Sequence, residues 1–228
     1  MGMELYEVMR TTAAIREFTD DPLPDEVLAR ILDHARFAPS GGNRQGAHLV
    51  LVTDRATREA LAELNKPAVR RYVAQSTAGE TPWNPLSPPG PSAEEIAATE
   101  VPSYFITPVL TAPVVLVVCV DLGAVAATDQ DLDRVGLVSG ASIYPLVWNV
   151  LLAARNEGFG GTFTTMAVAQ EPQVKQLLGV PEQYAVAAVV PLGKPVKQPT
   201  KLRRQPVAEF VTWQRFDGEP FDVQPSGA

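Results

Sequence analysis

Five of the 19 Lys and Arg residues fall in KPVKQPTKLRR (194–204), a segment without an acid in a chain of formal net charge -7. Such a cluster reads either as a solvated basic loop or as a phosphate anchor. Lys and Arg give phosphate oxygens charge-assisted hydrogen bonds, and Arg can do so in bidentate geometry. A further cation, Arg16, follows a predicted helix in MRTTAAIREF (9–18). The segment APSGGNRQG (38–46) is either an Asn/Gly-rich turn or a ligand loop. Its glycines permit close backbone approach to a flat molecule, and Ser40, Asn43 and Gln45 offer donors and acceptors. A second glycine loop with hydroxyls, GFGGTFTT (158–165), follows a helix and lacks the G-x-G-x-x-G spacing of a dinucleotide fingerprint. The chain contains no P-loop, no G-x-S-x-G elbow, no H-E-x-x-H and no Ser/His/Asp set. Cys119, the one cysteine, lies inside VVLVVCV and reads as a small buried hydrophobe rather than a nucleophile. Phosphate-like cations and flat-ligand loops without acid/base machinery point to a cofactor that carries the chemistry itself.

The elements that must position these residues alternate between strand and helix. DEVLARILDHARFA (25–38) places Val27, Ile31 and Ala35 at helical spacing, with acids at its start. HLVLVTD (48–54), APVVLVVCVDL (112–122) and YAVAAVVPLG (184–193) read as strands, the second buried on both faces. RATREALAELN (55–65) and EPQVKQLLG (171–179) read as helices. LVSGASIYPLVWNVLLAARNEG (137–158) is expected to be one helix kinked at Pro145 and capped at Gly158, covered on both sides by the sheet and by another subunit. Residues 77–113 hold 8 of the 21 prolines, and no Lys or Arg occurs from Tyr72 to Asp133. That stretch reads as an irregular lid carrying Trp83, Tyr104 and Phe105. The tail from 194 is polar, carries VAEFVTW (207–213) and has little core of its own.

At 228 residues and 46% apolar composition, the chain is long enough for a sizeable core. The acidic balance argues against a nucleic-acid partner, and one cysteine with two histidines leaves no thiolate metal cluster and no disulfide framework. MGMELYEVMR has no apolar signal region, and the uncharged windows at 101–120 and 135–154 are interrupted by Pro, Ser and Asn. The expectation is a cytoplasmic protein without a membrane span. Its organisation reads as one domain over 1–228, with a lid at about 77–113 and a C-terminal extension at about 205–228.

The order of RTTAAIREF, DDPLPDEVLARILDHARFAPSGGNRQG, NVLLAARNEGFGGTFTT, LLGVPEQYAVAAVVPLGKP and LRRQP resembles the nitroreductase family of FMN-dependent oxidoreductases over about 5–215. The resemblance implies an α+β fold with a central, mainly antiparallel sheet flanked by helices. It also implies a homodimer with a domain-swapped C-terminal tail and two FMN sites at the interface. By resemblance, Arg16, Arg203 and Arg204 meet the FMN phosphate. Pro39, Ser40, Gly41, Asn43 and Gln45 of the partner's loop lie against the isoalloxazine, and Phe163, Thr164 and Thr165 face its other edge. Where the family reads R-R-S-x-R, this chain has Thr12-Ala13-Ala14-Ile15-Arg16, and Thr12 and Arg10 are the candidates to stand in. The implied reaction is two-step: NAD(P)H delivers hydride to flavin N5, then a planar acceptor such as a nitroaromatic or quinone takes the electrons beneath Trp83, Tyr104 and Phe105. NADH and NADPH are both open as donors, with Arg44, Arg70 and Arg71 as candidate 2′-phosphate contacts. Dehalogenation, oxidative desaturation and flavin fragmentation on the same scaffold, or a non-enzymatic flavin-sequestering dimer, are the alternatives.

Overall fold

The structure is a computed structural model that describes residues 2–223; the last part of the expected 205–228 extension lies outside the described residues. A four-stranded antiparallel sheet, ordered β1-β2-β4-β3, forms the centre. Its strands are β1 (Ala47–Val52), β2 (Val114–Asp121), β3 (Gly160–Gly161) and β4 (Tyr184–Gly193). The uninterrupted apolar run of β2 has a direct cause. Val114, Leu116, Val118 and Val120 point into one core, and Val115, Val117 and Cys119 into another on the opposite face. A register shift between Val118 and Cys119 opposite β4 marks a bulge. The first core is closed by α2 (Asp25–Ala35) and α6 (Tyr144–Asn156) through Leu28, Ile31, Val147 and Val150. The second is closed by α3 (Arg55–Thr77), α5 (Thr107–Thr111) and α7 (Glu171–Leu178) through Leu61, Val109 and Val174. The short helices α1 (Leu5–Thr11) and α4 (Ala93–Ala98) complete the set.

The expected kink at Pro145 and the expected extent of the helix over 55–65 are corrected. Pro145 does not kink a long helix. It sits in the first turn of α6, where no intrahelical N–H is required, and a separate 3-10 turn at Val138–Ser142 precedes it. Conversely, the helix expected over 55–65 continues through Pro67 to Thr77. Leu61, Ala62, Ala68 and Val69 are all buried on either side of Pro67, so core packing outweighs the missing hydrogen bond. The 77–113 region, expected to be irregular throughout, includes α4 and α5. Ser92 and Glu95 cap α4 reciprocally, and Pro108 opens α5. The C-terminus of α6 is a Schellman cap: Gly158 N–H donates to Arg155 O at 3.1 Å and Phe159 N–H to Ala154 O at 2.8 Å, with Gly158 at φ 80°.

The sheet edge carries the site. The segment 14–19 runs alongside it: Ile15 N–H donates to Gly161 O at 2.8 Å, and Thr19 N–H to Lys194 O at 2.9 Å. This close approach needs glycine. A Cβ on Gly160 would lie 2.7 Å from Ile15 Cγ1, and one on Gly161 would run into the Pro191 carbonyl oxygen. Gly161→Ala is therefore expected to destabilise the protein by about 1–3 kcal/mol. Each kcal/mol lowers Tm by about 2–4 °C at this chain length; calorimetry giving an unchanged Tm would refute the tight-contact account.

Asp129 organises the loop before α6. It is 4% exposed and accepts hydrogen bonds from Leu137 N–H at 2.7 Å, Arg134 Nη1 at 2.8 Å and Val138 N–H. The Leu137 N–H bond, with help from Arg134, holds its carboxyl below the ordinary carboxylate value. A lowered folded-state pKa contributes stability that is present above the unfolded value and lost as pH falls through the folded one. Asp129→Asn should consequently flatten the fall in Tm below about pH 4 relative to the parent chain; parallel Tm–pH curves would remove this role.

Candidate functional site

Two clefts flank the sheet edge. The first, about 230 Å³, is lined by Arg16, Phe163, Thr164, Thr165, Tyr104 and Phe105 among others, so it gathers residues from both expected site segments and from the lid. Each is placed by backbone pairing. Ala14 bridges Gly161 in parallel, which presents Arg16, and Thr164 exchanges both backbone hydrogen bonds with Val189 of β4 at 2.8 Å. The Arg16 guanidinium is exposed and has no hydrogen-bond or ion-pair partner among the described residues.

The second cleft, about 650 Å³, is lined by Arg10, Thr12, Lys201, Arg204 and Trp148. The basic segment is clipped over α1 by Gln198 Nε2, which donates to Thr11 O at 2.9 Å. Neither the Arg10 guanidinium nor the Lys201 ammonium has a hydrogen-bond or ion-pair partner among the described residues. Arg204 Nη1 turns onto the Arg203 carbonyl at 2.7 Å, and Arg203 is exposed beside it. Thr12 is 5% exposed and donates its hydroxyl to Val8 O at 2.7 Å. Its proton is thus committed to α1, and the cations of this cleft that make no hydrogen bond among the described residues are Arg10 and Lys201. The structure consequently divides the expected phosphate set: Arg16 belongs to the cleft of Phe163–Thr165, and Arg204 to that of Arg10 and Lys201. Lys201 was legible in the sequence only as one member of a basic run; Arg10 stood out only by its closeness to the departed motif.

The loop with Pro39, Ser40, Gly41, Asn43 and Gln45 lines neither cleft. It is a tight, exposed turn. Asn43 and Gln45 adopt φ 53° and φ 51°, Gln45 N–H donates to Ser40 Oγ at 3.0 Å, and Gly41 N–H donates to Ser142 Oγ at 3.0 Å. Positive φ at two non-glycine residues is backbone strain of the sort that clusters at ligand sites.

The lid is folded against α3. Arg58 Nη1 donates to Leu110 O at 3.2 Å and also to Ala112 O. Tyr72 meets Phe105 edge-on at 5.4 Å, and Tyr104 stacks obliquely on Phe105 at 4.4 Å. Phe105 packs onto the second core, so it anchors the lid, whereas Tyr104 is 57% exposed. Trp83 also lines a cavity, and Arg71 sits over its ring at 3.8 Å. Gln75, Tyr72 and Met166 were not singled out in the sequence, because a buried glutamine and two apolar positions on elements of ordinary pattern give no local signal.

No protein group stands ready for covalent chemistry. Burial pushes the Cys119 thiol up to about 11, and among the described residues no group of three or more His, Cys, Asp or Glu is placed to hold a metal. No helix of the described residues is long and apolar enough to cross a membrane. Unpaired cations beside hydroxyls, backbone amides and aromatic walls suit a large anionic, planar cofactor, and FMN meets that description.

Comparison with known proteins gives the family. The profile of the Nitroreductase family matches residues 9–194. The NADH dehydrogenase of Thermus thermophilus is 28% identical over 209 residues, spanning 88% of this chain and 91% of that protein. Two solved structures share the fold. NADPH:FMN oxidoreductase from Vibrio harveyi, complexed with NAD+, has a TM-score of 0.66 at 24% identity, covering 96% of this chain and 80% of that one. Oxidized iodotyrosine deiodinase bound to FMN and 3-iodo-L-tyrosine has a TM-score of 0.67 at 21% identity, covering 93% of this chain and 100% of that one. With a profile match running from α1 to the end of β4, and an antiparallel sheet whose glycine edge presents the unpaired cations, this chain belongs to the nitroreductase family.

Proposed function

We propose that the protein is an FMN-dependent oxidoreductase that uses NAD(P)H to reduce a planar acceptor. The observation that carries this reading is the set of unpaired cations around two clefts that contain no protein acid/base pair or nucleophile. Arg10, Lys201, Arg203 and Arg204 would hold the phosphate by charge-assisted hydrogen bonds. Arg16, Phe163, Thr164 and Thr165 would line the ring. When bound, FMN supplies two-electron hydride chemistry in two half-reactions; with a quinone acceptor, NAD(P)H + H+ + quinone gives NAD(P)+ + hydroquinone. The chain's own contribution is to bind, orient and exclude water. Arg16 would add a cation to the cleft that Phe163, Thr164 and Thr165 line, where it would favour negative charge on a bound ligand.

The working unit in this reading is a homodimer in the cytoplasm. Support comes from large apolar side chains that one chain leaves exposed: Trp148 at 42%, Phe210 at 65%, Trp213 at 48% and Phe216 at 103%. Those on the tail continue past Arg204, so a tail laid across a second copy would bury them together. The strained loop at Pro39–Gln45, which touches neither cleft of its own chain, would then serve the partner's cleft.

Anaerobic addition of NADPH and then NADH to the FMN-loaded protein tests the reading: bleaching of the flavin bands is expected, and bands that persist with both donors would overturn it. Lys201→Ala and Arg204→Ala are each expected to raise the Kd for FMN about tenfold, the loss of one charge-assisted bond. The apo protein should melt within about 1 °C of the parent, since exposed cations without ion pairs add little stability. Unchanged FMN affinity in both variants would remove the phosphate assignment.

A further inference from the structure

A further chamber adjoins the first cleft. It has a volume of about 430 Å³ and shares Tyr72, Thr165 and Met166 with the cleft that Arg16 lines. Its other walls include Ala68 of α3, Val168, Pro82 and Trp83, and no charged side chain lines it. That volume is in the range of small-molecule sites, about 300–1,000 Å³. The two spaces adjoin along Tyr72, Thr165 and Met166, with Arg16 bordering one and Trp83 the other.

The Trp83 wall is built, not incidental. Trp83 adopts φ 56°, a conformation that a bulky aromatic residue enters only when its surroundings impose it. What imposes it is Gln75, which is 0% exposed. Gln75 Oε1 accepts from Trp83 N–H at 3.1 Å and from Arg71 Nε at 3.2 Å, and its Nε2 donates to Glu80 Oε2 at 2.9 Å. The indole is fixed a second time by Nε1, which donates to Ala68 O at 3.2 Å, and the Arg71 guanidinium lies over the ring. Glu80 in turn accepts from Gly90 N–H at 2.8 Å, tying the proline-rich stretch to the same network. A buried amide with three partners orders a half-exposed tryptophan on a chamber wall.

Resting on the proposed flavin reading, we infer that this chamber is the acceptor's outer subsite. It takes the second ring of an uncharged, fused or extended aromatic acceptor, with Trp83 as the ring-stacking specificity residue and Gln75 as its positioning residue. Charge decides the class. A zwitterionic amino-acid acceptor needs a cation for its carboxylate and an acid for its ammonium, and the chamber lining provides neither. The nearest cation, Arg71, is already engaged with Gln75 and the indole. An apolar ring system loses nothing on entering such a slot and gains an aromatic contact.

The test uses FMN-loaded protein and three quinones: menadione with two fused rings, 1,4-benzoquinone with one, and 1,4-naphthoquinone-2-sulfonate with a charge. Trp83→Ala should raise KM for menadione about tenfold more than it raises KM for benzoquinone, and Trp83→Phe should restore most of the difference. The sulfonate should show a KM well above that of menadione in the parent chain. Gln75→Met should move the menadione KM in the same direction as Trp83→Ala. Independently of turnover, menadione added without NAD(P)H should shift the 15N indole resonance that Trp83→Phe removes. A Trp83 resonance that stays in place at saturating menadione, or a Trp83→Ala variant that treats the one-ring and two-ring quinones alike, overturns the subsite. Failure of the flavin reading shows separately, as bands that NAD(P)H does not bleach, because the resonance shift requires no reduction.

Discussion

The site depends on how closely two backbones approach at the sheet edge. Gly160 lets Ile15 pack where a Cβ would otherwise sit, Gly161 lets β3 lie against the Pro191 carbonyl, and the Ile15 N–H then reaches the Gly161 carbonyl at 2.8 Å. Everything downstream follows from that contact. It turns an otherwise unattached segment into an additional edge of the sheet, with Phe18 bridged to Pro195 and Val196 N–H donating to Glu17 O at 3.1 Å. The same pairings bring the start of the basic segment beside α1, where Gln198 clips it down. Arg16 on one side and Arg10 with Lys201 on the other are thereby positioned by main chain, which is stiffer than any side-chain network of comparable size.

Exposed cations without ion pairs cost little in water and leave their charge available to an anion. Several acids are paired away from these cations: Asp21 with Lys194 and the Thr19 hydroxyl, Glu157 with Arg30, and Asp129 with Arg134 and backbone amides. A field of one sign confined to a cleft also concentrates anionic ligands from solution. The lid carries the opposite balance, with no cation from Tyr72 to Asp133, so a phosphate would be drawn to the sheet edge and away from the Trp83 chamber.

The strands were readable because their pattern has one cause. An eight-residue β2 buried on both faces must be apolar throughout, and α7 with Pro172 in its first turn and Gly179 at φ 66° carries start and stop signals of its own. Pro145 was misread because the effect of proline depends on register: it is harmless in the first turn of α6, and Pro67 inside α3 is tolerated through burial of the residues beside it. The division of the cations between two clefts had no local sequence signal, since it depends on a pairing between residue 15 and residue 161. Gln75 was invisible for a related reason. On a helical wheel it is one more polar residue with Arg71 one turn before it, and only the chain folding back at Glu80 and Trp83 gives its amide the other two partners.

That network separates what is fixed in this molecule from what is free to differ. A buried glutamine with an unmet carbonyl costs more than the hydrogen bonds it makes are worth, so α3 and the 80–90 stretch must stay together or lose both. The sheet edge, by contrast, is set by glycine and main-chain pairing and is indifferent to which side chains the lid presents. Lid and sheet edge meet in the cleft of Arg16, where Tyr104 and Phe105 stand beside Thr164 and Thr165, while Tyr72, Thr165 and Met166 also border the Trp83 chamber. Substitutions at Pro82 or Trp83 can therefore reshape that chamber without touching the backbone pairings that hold the Arg16 segment to the sheet.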